Sequence, residues 1–408
     1  MKQRLKNLWG IAVNWAAEPS VVRPLGWLWM AYHRRIPSAP RIPDLGSARE
    51  VVVVRYDGLG DLVVTTGFLR DLRAACPRAR ITAVVRDDWM DLLTASPHLD
   101  RVLGFALKIY PRYTPIRRVF DIARFCRQHF WPVRPDVVII AQSHITQCEV
   151  RYFALFSGAP VRLGRTALAK TGDPDPSRDP GWKIMSHLHL DARTGHEAEQ
   201  FQSWLKSLGA SARDPELSMS WDVAAADEAT RLLGPKPSTG LRVALGIGAS
   251  KGPKTWPLER YIEVGRRLKE RGAQLVLIGA SDLAEPASEF MNREGSGVRN
   301  LVGPLRLQAT AAALAQCDLF IGNDSGPMHL AAAVGLPVVE IVGWPADVPP
   351  EIPGTPLRIG PVCKHRRIVQ PAGNGRDWSV RVADVSVEAA WTAVESILDE
   401  VRGPSWRA

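Results

Sequence analysis

Two short stretches far apart in the chain share one design. Each reads as a buried strand that breaks into a polar, glycine-containing turn and restarts as a helix. The first is Val51-Val-Val-Val-Arg-Tyr-Asp-Gly-Leu-Gly-Asp-Leu62, and the second is Cys317-Asp-Leu-Phe-Ile-Gly-Asn-Asp-Ser-Gly-Pro-Met-His-Leu330. In the second, Leu319, Phe320 and Ile321 supply the strand, residues 322–327 hold the turn formers, and residues 328–334 are strongly helical. Such a turn leaves the free N–H groups of a helix N-terminus beside an open pocket, a natural place for a phosphate.

The spaces around these turns fill with α/β units. In the first half, residues 51–54 and 81–85 read as strands around a helix over 62–75 with Leu62, Phe68, Leu69 and Leu72 inward, a βαβ unit of about 30 residues. Residues 137–140 form another buried strand. Thr194-Gly-His-Glu197 has capping-box spacing, and Phe201, Trp204, Leu205 and Leu208 then share a helical face. In the second half, strands are expected at 243–247, 275–278, 319–321 and 338–342. Helices are expected at 257–271, 284–292, 307–315 and 326–334.

This alternation predicts an α/β chain of two Rossmann-like domains. Their parallel sheets would face each other, with ligands in the cleft at the carboxyl ends of the strands. The expected boundaries are 48–215 for the first domain, 216–240 for an Ala/Pro/Ser-rich linker and 241–385 for the second domain. Residues 386–408 would carry an amphipathic helix crossing back to the first domain. Residues 1–47 stand apart. Trp9, Trp15, Trp27, Trp29 and Tyr32 are interleaved there with Lys2, Arg4, Lys6, Arg23, Arg34 and Arg35, and Pro19 and Pro24 divide the segment. Two readings stay open: helices at a bilayer interface, where rings meet headgroups and cations meet anionic lipids, or an extra helical pair packed on the domain.

Composition excludes several classes. The 408 residues suffice for two cores. No apolar run is long enough to span a bilayer, and no secretory pattern is expected at the start of the chain. The five cysteines are scattered with no CxxC pair, which favours reduced thiols in a cytoplasm and no zinc site. The net charge of +10 points to an anionic partner. No nucleic-acid recognition motif accompanies it.

The chemistry concentrates in the turns. Asp61 follows Gly58-Leu-Gly60, where the glycines let the backbone turn sharply and a substrate approach closely. Its carboxylate could cap the following helix or take a proton from a substrate hydroxyl. A dinucleotide fingerprint fails, because its third glycine would be position 63, which is valine. In the second half, residues 246–257 form a flexible cationic loop with Ser250, Lys251, Lys254 and Thr255, suited to phosphate. It lacks the GxxxxGK[ST] pattern of a P-loop. Ser281, Asp282 and Glu285, past the end of another strand, could accept hydrogen bonds from a ribose. Asp173-Pro-Asp175 matches a metal-binding DxD pattern but lies in a proline-rich loop with no preceding strand. His187 and His189 alternate as in a strand and lack further ligands, and Lys364-His-Arg-Arg367 reads as a solvated basic run. GxSxG, HExxH and the kinase motifs are absent.

At this point the residues resemble glycosyltransferase family 9, the heptosyltransferase family of bacterial lipopolysaccharide core synthesis. Four stretches match in order: the opening strand with Arg55, Gly60 and Asp61; His196-Glu-Ala-Glu-Gln-Phe201; Lys254-Thr-Trp-Pro-Leu-Glu-Arg-Tyr261; and Asn323-Asp-Ser-Gly-Pro-Met-His329. The resemblance implies a GT-B fold and an inverting, metal-independent transfer from a nucleotide-activated sugar, expected to be ADP-linked, with no cofactor. It implies Asp61 as the catalytic base, Lys254 on the phosphates, Ser325 and Gly326 offering backbone amides to the diphosphate, and Asp324 on donor hydroxyls. His329 would hold the turn together or touch the ligand. Arg55, Gly58 and Gly60 fall on the acceptor side.

Two departures bear on the acceptor. Ala141-Gln-Ser-His144 stands where the family often has Asp-Leu-Gln-Gly, and the short form of the family has no counterpart to the Trp-rich start. The expected function is transfer of a heptose-like sugar, as from ADP-heptose, to a lipopolysaccharide-core or other cell-surface glycan. The protein would be a cytoplasmic monomer at the inner-membrane surface, with no nucleic-acid partner. Two rivals remain: a non-catalytic nucleotide-sugar or glycan-binding relative, and a nucleotide-sugar epimerase on the same fold.

Overall fold

The computed structural model of the chain describes residues 44–106, 115–142, 150–167, 184–192, 194–237, 240–249, 254–303, 305–352, 354–373, 379–403 and 406. Among them, two six-stranded sheets form, and every strand pair is parallel. The first holds β1 (Glu50–Val54), β2 (Arg80–Arg86), β3 (Arg101–Phe105), β4 (Val137–Ile140), β5 (Val161–Ala167) and β6 (His187–Asp191), in the order β3-β2-β1-β4-β5-β6. The second holds β7 (Arg242–Gly246), β8 (Gln274–Ile278), β9 (Val298–Asn300), β10 (Leu319–Asn323), β11 (Val338–Ile341) and β12 (Arg366–Val369), in the order β12-β11-β10-β7-β8-β9. Read from β9, this is the same order as the first sheet. In each, the direction of winding reverses beside the first strand, between β1 and β4 and between β7 and β10. Ligands of open α/β sheets bind at that switch point, and both glycine turns are placed there.

Runs of Val, Ile and Leu make these strands because both faces are covered. In chain order the helices are α1 (Leu59–Ala75), α2 (Met90–Leu93), α3 (Pro115–His129), α4 (Arg151–Phe156), α5 (Glu197–Ser207), α6 (Val223–Leu233), α7 (Leu258–Lys269), α8 (Ala284–Glu294), α9 (Leu307–Leu314), α10 (Gly326–Ala333), α11 (Pro356–Ile359) and α12 (Val387–Arg402). Alternation along β1 sends Val52 and Val54 to one flank, with α3 and α4, and Val51 and Val53 to the other, with α1 and α5. That second flank is continuous with the second half. Phe68, Phe201 and Trp204 share one apolar cluster with Ala311, Phe320, Met328 and Val338. The outer flank of the second sheet packs Leu245, Leu277, Ile321 and Ile341 under α7, α8 and α12.

Three expectations change. The stretch 216–240 joins the halves but is packed structure: Asp222 caps α6, and Ala229 and Leu233 of that helix enter the shared core. The final helix, α12, does not cross back. Its Ala390, Val394, Ile397 and Leu398 lie in the core of the second half, and its Glu400 pairs with His365 and Arg367 of the basic run at 2.8 and 2.7 Å. The capping box of α5 lies two residues later than Thr194–Glu197, at His196–Glu199. His196 Nδ1 accepts from Ala198 N at 3.1 Å, while Glu199 accepts from His196 N at 2.9 Å.

Of the N-terminal extension, residues 1–43 lie outside the described residues, and Leu45–Ser47 form a single 3-10 turn with Leu45 in the core. The Asp173–Asp175 loop and Ser143-His144 also lie outside them. His187 and His189 sit in β6, where His189 stacks on Trp204 at 6.2 Å. No helix among the described residues is long and apolar enough to cross a membrane.

Candidate active site

The helix predicted from Leu62 starts three residues earlier, at Leu59, so Asp61 occupies its first turn. There it does two things at once. Oδ2 accepts from Gly58 N at 3.0 Å, which caps the helix, and Oδ1 faces the Arg55 guanidinium at 3.3 Å. About a third of the side chain remains open to solvent. Capping and reactivity are therefore compatible here, since an oxygen remains available to the cleft.

Arg55 lies behind Asp61 rather than in the open cleft. It is 2% exposed, and its donors are taken: Nε by Asp57 at 2.6 Å, and NH1 by the Ala141 carbonyl at 2.6 Å and Glu197 at 3.2 Å. Glu197 also receives Arg165 NH1 at 2.6 Å, and Arg165 grips Asp191 through Nε and NH2. Both guanidinium groups rest on the Phe201 ring, at 5.5 and 4.3 Å. Burial would raise the Glu197 carboxyl, but Arg165 and Arg55 outweigh it and hold it at about 2. Asp57 goes the other way. Burial pushes it up to about 7 and the Asp61 and Glu197 charges add to this, against the pull of Arg55. The network places a fixed, partly neutralised charge behind the Asp61 carboxylate.

Across the cleft, Asn323 ends β10 fully buried and ties together three segments. Its Oδ1 accepts from Trp256 N at 3.1 Å and Tyr261 Oη at 2.8 Å, and its Nδ2 donates to the Ile341 carbonyl at 3.0 Å. Trp256 Nε1 donates to the Val385 carbonyl at 2.8 Å. These bonds pin the end of the cationic loop, so Lys254 Nζ reaches Asp324 Oδ2 at 2.5 Å. Thr255 Oγ1 accepts from Ala249 N at 3.3 Å, and Ser250 lies outside the described residues. Ser325 begins α10, with its hydroxyl on the Asn323 carbonyl at 3.1 Å and no side-chain cap on the helix amides. Ser281, Asp282 and Glu285 are exposed around the start of α8. Leu283 packs against Gly248 and Gly279, which brings this corner beside the cationic loop.

The two turns meet directly. A β-carbon on Gly326 would lie 2.6 Å from Leu59 Cδ2, and one on Gly60 would run into the His329 ring. Neither helix end could approach the other with a side chain at these glycines. His329 is 4% exposed, its Nε2 is 3.9 Å from Asp324 Oδ1, and its Nδ1 has no hydrogen-bond partner among the described residues. Burial lowers its pKa, reinforced by Lys254 and opposed by Asp324 and Asp61. A second link joins the halves: His196 Nε2 donates to the Gly360 carbonyl at 3.0 Å, which with its accepting Nδ1 fixes the tautomer.

Asp61, Lys254, Asp324, Ser325, Gly326 and His329 thus gather at one junction, with Gly58 and Gly60 shaping it. Sequence reasoning gave Glu197 only a helix-capping role and gave none to Arg165, Asn323 or Glu340. Glu340, on β11 opposite Gly322, is 1% exposed, and its Oε2 has no hydrogen-bond partner among the described residues. Burial, then Asp324, raise its pKa well above the ordinary range, against Lys254. The His196-Glu197 pair in its motif was a signal for the first network. A glutamate in an apolar strand was the signal for Glu340. Among the described residues, no three His, Cys, Asp or Glu side chains gather as a metal site.

Comparison with known proteins agrees with this geometry. The sequence model of glycosyltransferase family 9 (heptosyltransferase) matches residues 186–348. Lipopolysaccharide heptosyltransferase 2 of Escherichia coli K12 is 24% identical over 311 residues, spanning 72% of this chain and 82% of that protein. Lipopolysaccharide heptosyltransferase 3 of the same strain is 26% identical over 295 residues, spanning 71% and 80%. A family 9 glycosyltransferase from Veillonella parvula superposes with a TM-score of 0.72 at 23% identity, over 89% of this chain and all of that one. E. coli heptosyltransferase WaaC with ADP superposes with a TM-score of 0.63 at 21% identity, over 85% and 99%. The paired sheets are a GT-B fold. Two glycine turns that meet at one junction thus stand in a chain that resembles glycosyltransferase family 9 over residues 186–348 and two heptosyltransferases over about 70% of its length.

Proposed function

We propose that the protein is an inverting heptosyltransferase, moving a heptose-like sugar from an ADP-linked donor to a lipopolysaccharide-core acceptor. The observation that carries this reading is the direct apposition of the Asp61 turn and the N-terminus of α10. It sets a carboxylate with an open oxygen opposite a ready anion site. The donor diphosphate would lie on the amides of Ser325 and Gly326. Lys254 would turn from Asp324 to the phosphates, and Asp324 would accept from donor hydroxyls. Ser281, Asp282 and Glu285 stand where they could meet the nucleoside.

The acceptor hydroxyl enters on the first-half side. Its oxygen forms a bond to the anomeric carbon, the bond from that carbon to the phosphate oxygen breaks on the opposite face, and the nucleoside diphosphate leaves with the electron pair. The hydroxyl proton passes to Asp61. One displacement inverts the anomeric centre. Lys254 and the helix amides meet the growing leaving-group charge, and preorganised donors of this kind contribute roughly 3–4 kcal/mol each. Arg55, held by Glu197, keeps Asp61 aimed.

Asp61→Asn tests the assignment. Asparagine still caps the helix through Gly58 N but is a poor proton acceptor. Donor binding and stability should be retained while transfer falls on the order of 10²–10⁴-fold. Transfer at the parent rate would place the base elsewhere. Donor conversion in the absence of any acceptor would instead favour the epimerase rival.

A further inference from the structure

Helix α3 presents two different faces. Val119, Ile122, Cys126 and Phe130 recur at helical spacing and are buried, held by the aromatic cluster of Phe105, Phe125, Phe130 and Phe153 with centroids 5.1–6.4 Å apart. Arg117, Phe120, Arg124 and Arg127 recur at the same spacing on the opposite, solvent-facing side. Phe120 is 63% exposed, and no other aromatic side chain among the described residues is as open. None of the three arginines makes an ion pair or hydrogen bond among the described residues. On α7, by contrast, Arg266, Arg267 and Lys269 all meet Glu263, Glu294 or Glu388.

We propose that this face of α3 is the surface by which the protein lies on an anionic lipid bilayer. An isolated exposed phenylalanine is ordinary on a protein surface. One set among three unpaired arginines on a single helix face has the chemistry of headgroup-level binding, in which the ring enters the acyl boundary and the guanidinium groups meet lipid phosphates. The fold supplies the orientation. Helix α3 covers the flank of the first sheet that only first-half residues share, while the second half packs on the opposite flank. A bilayer against α3 therefore does not compete with the second half for its surface. The inference deepens the proposed function by saying where a lipid-borne acceptor is met, and rests on that reading only for the acceptor.

The test is sedimentation of the full chain with vesicles of phosphatidylglycerol and phosphatidylethanolamine, and with phosphatidylcholine vesicles. The parent should bind the first and not the second. Each arginine near an anionic leaflet strengthens partitioning roughly fivefold. Arg117→Glu, Arg124→Glu and Arg127→Glu together should therefore weaken binding at least about tenfold. Phe120→Ser should weaken it in high salt as well, where charge is screened. Retained ADP binding and an unchanged melting temperature show that the variants are folded; a triple Arg→Gln variant serves if the reversal is unstable. As a control, Arg231, Arg293 and Arg299 of the second half are reversed together, and this should leave vesicle binding near the parent value. Equal loss in the control would reduce the effect to net charge, and undiminished binding by the α3 variant would place the surface elsewhere. Loss of binding to an oligonucleotide in the α3 variant, with no vesicle binding by the parent, would also overturn the proposal. Vesicle binding by a parent that fails to bind ADP would sink the proposed donor and leave this surface standing.

Discussion

The ring of His329 stands over the backbone of Gly60, so that a β-carbon placed at position 60 would lie 2.8 Å from its Nε2. This contact joins the first turn of α1 to α10 and sets how closely the two halves meet. Gly60→Ala should destabilise the protein by about 1–3 kcal/mol, the usual cost of overpacking. In a His329→Ala background most of that cost should vanish, because the ring that clashes is gone. A double-mutant cycle by denaturant unfolding reads the coupling, and simple additivity of the two costs would contradict the contact.

Lys254 and Asp324 form an ion pair at 2.5 Å, and on the proposed function the donor phosphates would take over its cation. Lys254→Ala should leave the fold intact and weaken ADP binding about tenfold to a hundredfold, the worth of a charge-assisted hydrogen bond of about 1.5–3 kcal/mol. Calorimetry measures it. An unaltered ADP affinity would remove Lys254 from the donor site.

Glu340 is buried with one oxygen unpartnered among the described residues, and its pKa is raised. A carboxyl group whose folded pKa lies above its unfolded value stabilises below the unfolded value, near 4.5, and that stability is lost as pH rises toward the folded value. Glu340→Gln removes the titration with little change of shape. Its melting temperature relative to the parent should climb as pH increases above about 4.5. A pH-independent difference would show that Glu340 is not held protonated.

Glu197 has the opposite sign. Its folded pKa is depressed to about 2 from 4.5, so its stabilisation is complete above 4.5 and lost as pH falls toward 2. Glu197→Gln leaves two buried arginines short of a counter-charge and should cost about 3–5 kcal/mol at neutral pH. The parent should then lose stability more steeply than the variant between about pH 4.5 and pH 2. Parallel acid-melting curves would contradict the assignment.

Much of the sheet framework was legible because a strand buried on both faces must be a short apolar run, as at Val51–Val54 and Leu319–Ile321. The glycine turns were legible because a strand can re-form as a helix across so few residues only with such residues. The packing of α12 was not. An amphipathic stripe says that a helix covers something apolar, and nothing in Ala390, Val394 and Ile397 says which sheet. Helix α6 was hidden by the Ala/Pro/Ser-rich composition around it, and its burial depends on α9, far along the chain. The ionic network behind Asp61 escaped for a similar reason. Arg55, Arg165, Asp191 and Glu197 come from four segments and acquire a shared role only when β1, β5, β6 and α5 are adjacent. Charge that is buried and paired looks, in a sequence, like charge in solvent.

The meeting of α1 and α10 has an electrostatic consequence. Both helices present their amino ends to the junction, and each such end carries roughly half a positive charge. Two ends of like sign in contact repel, and here Asp61 and Asp324 supply the counter-charge from within the chain. An anion that settles between them takes over that duty. On the proposed function, holding the halves together and holding a diphosphate would draw on the same field, and departure of the nucleotide would loosen the joint that its arrival tightened.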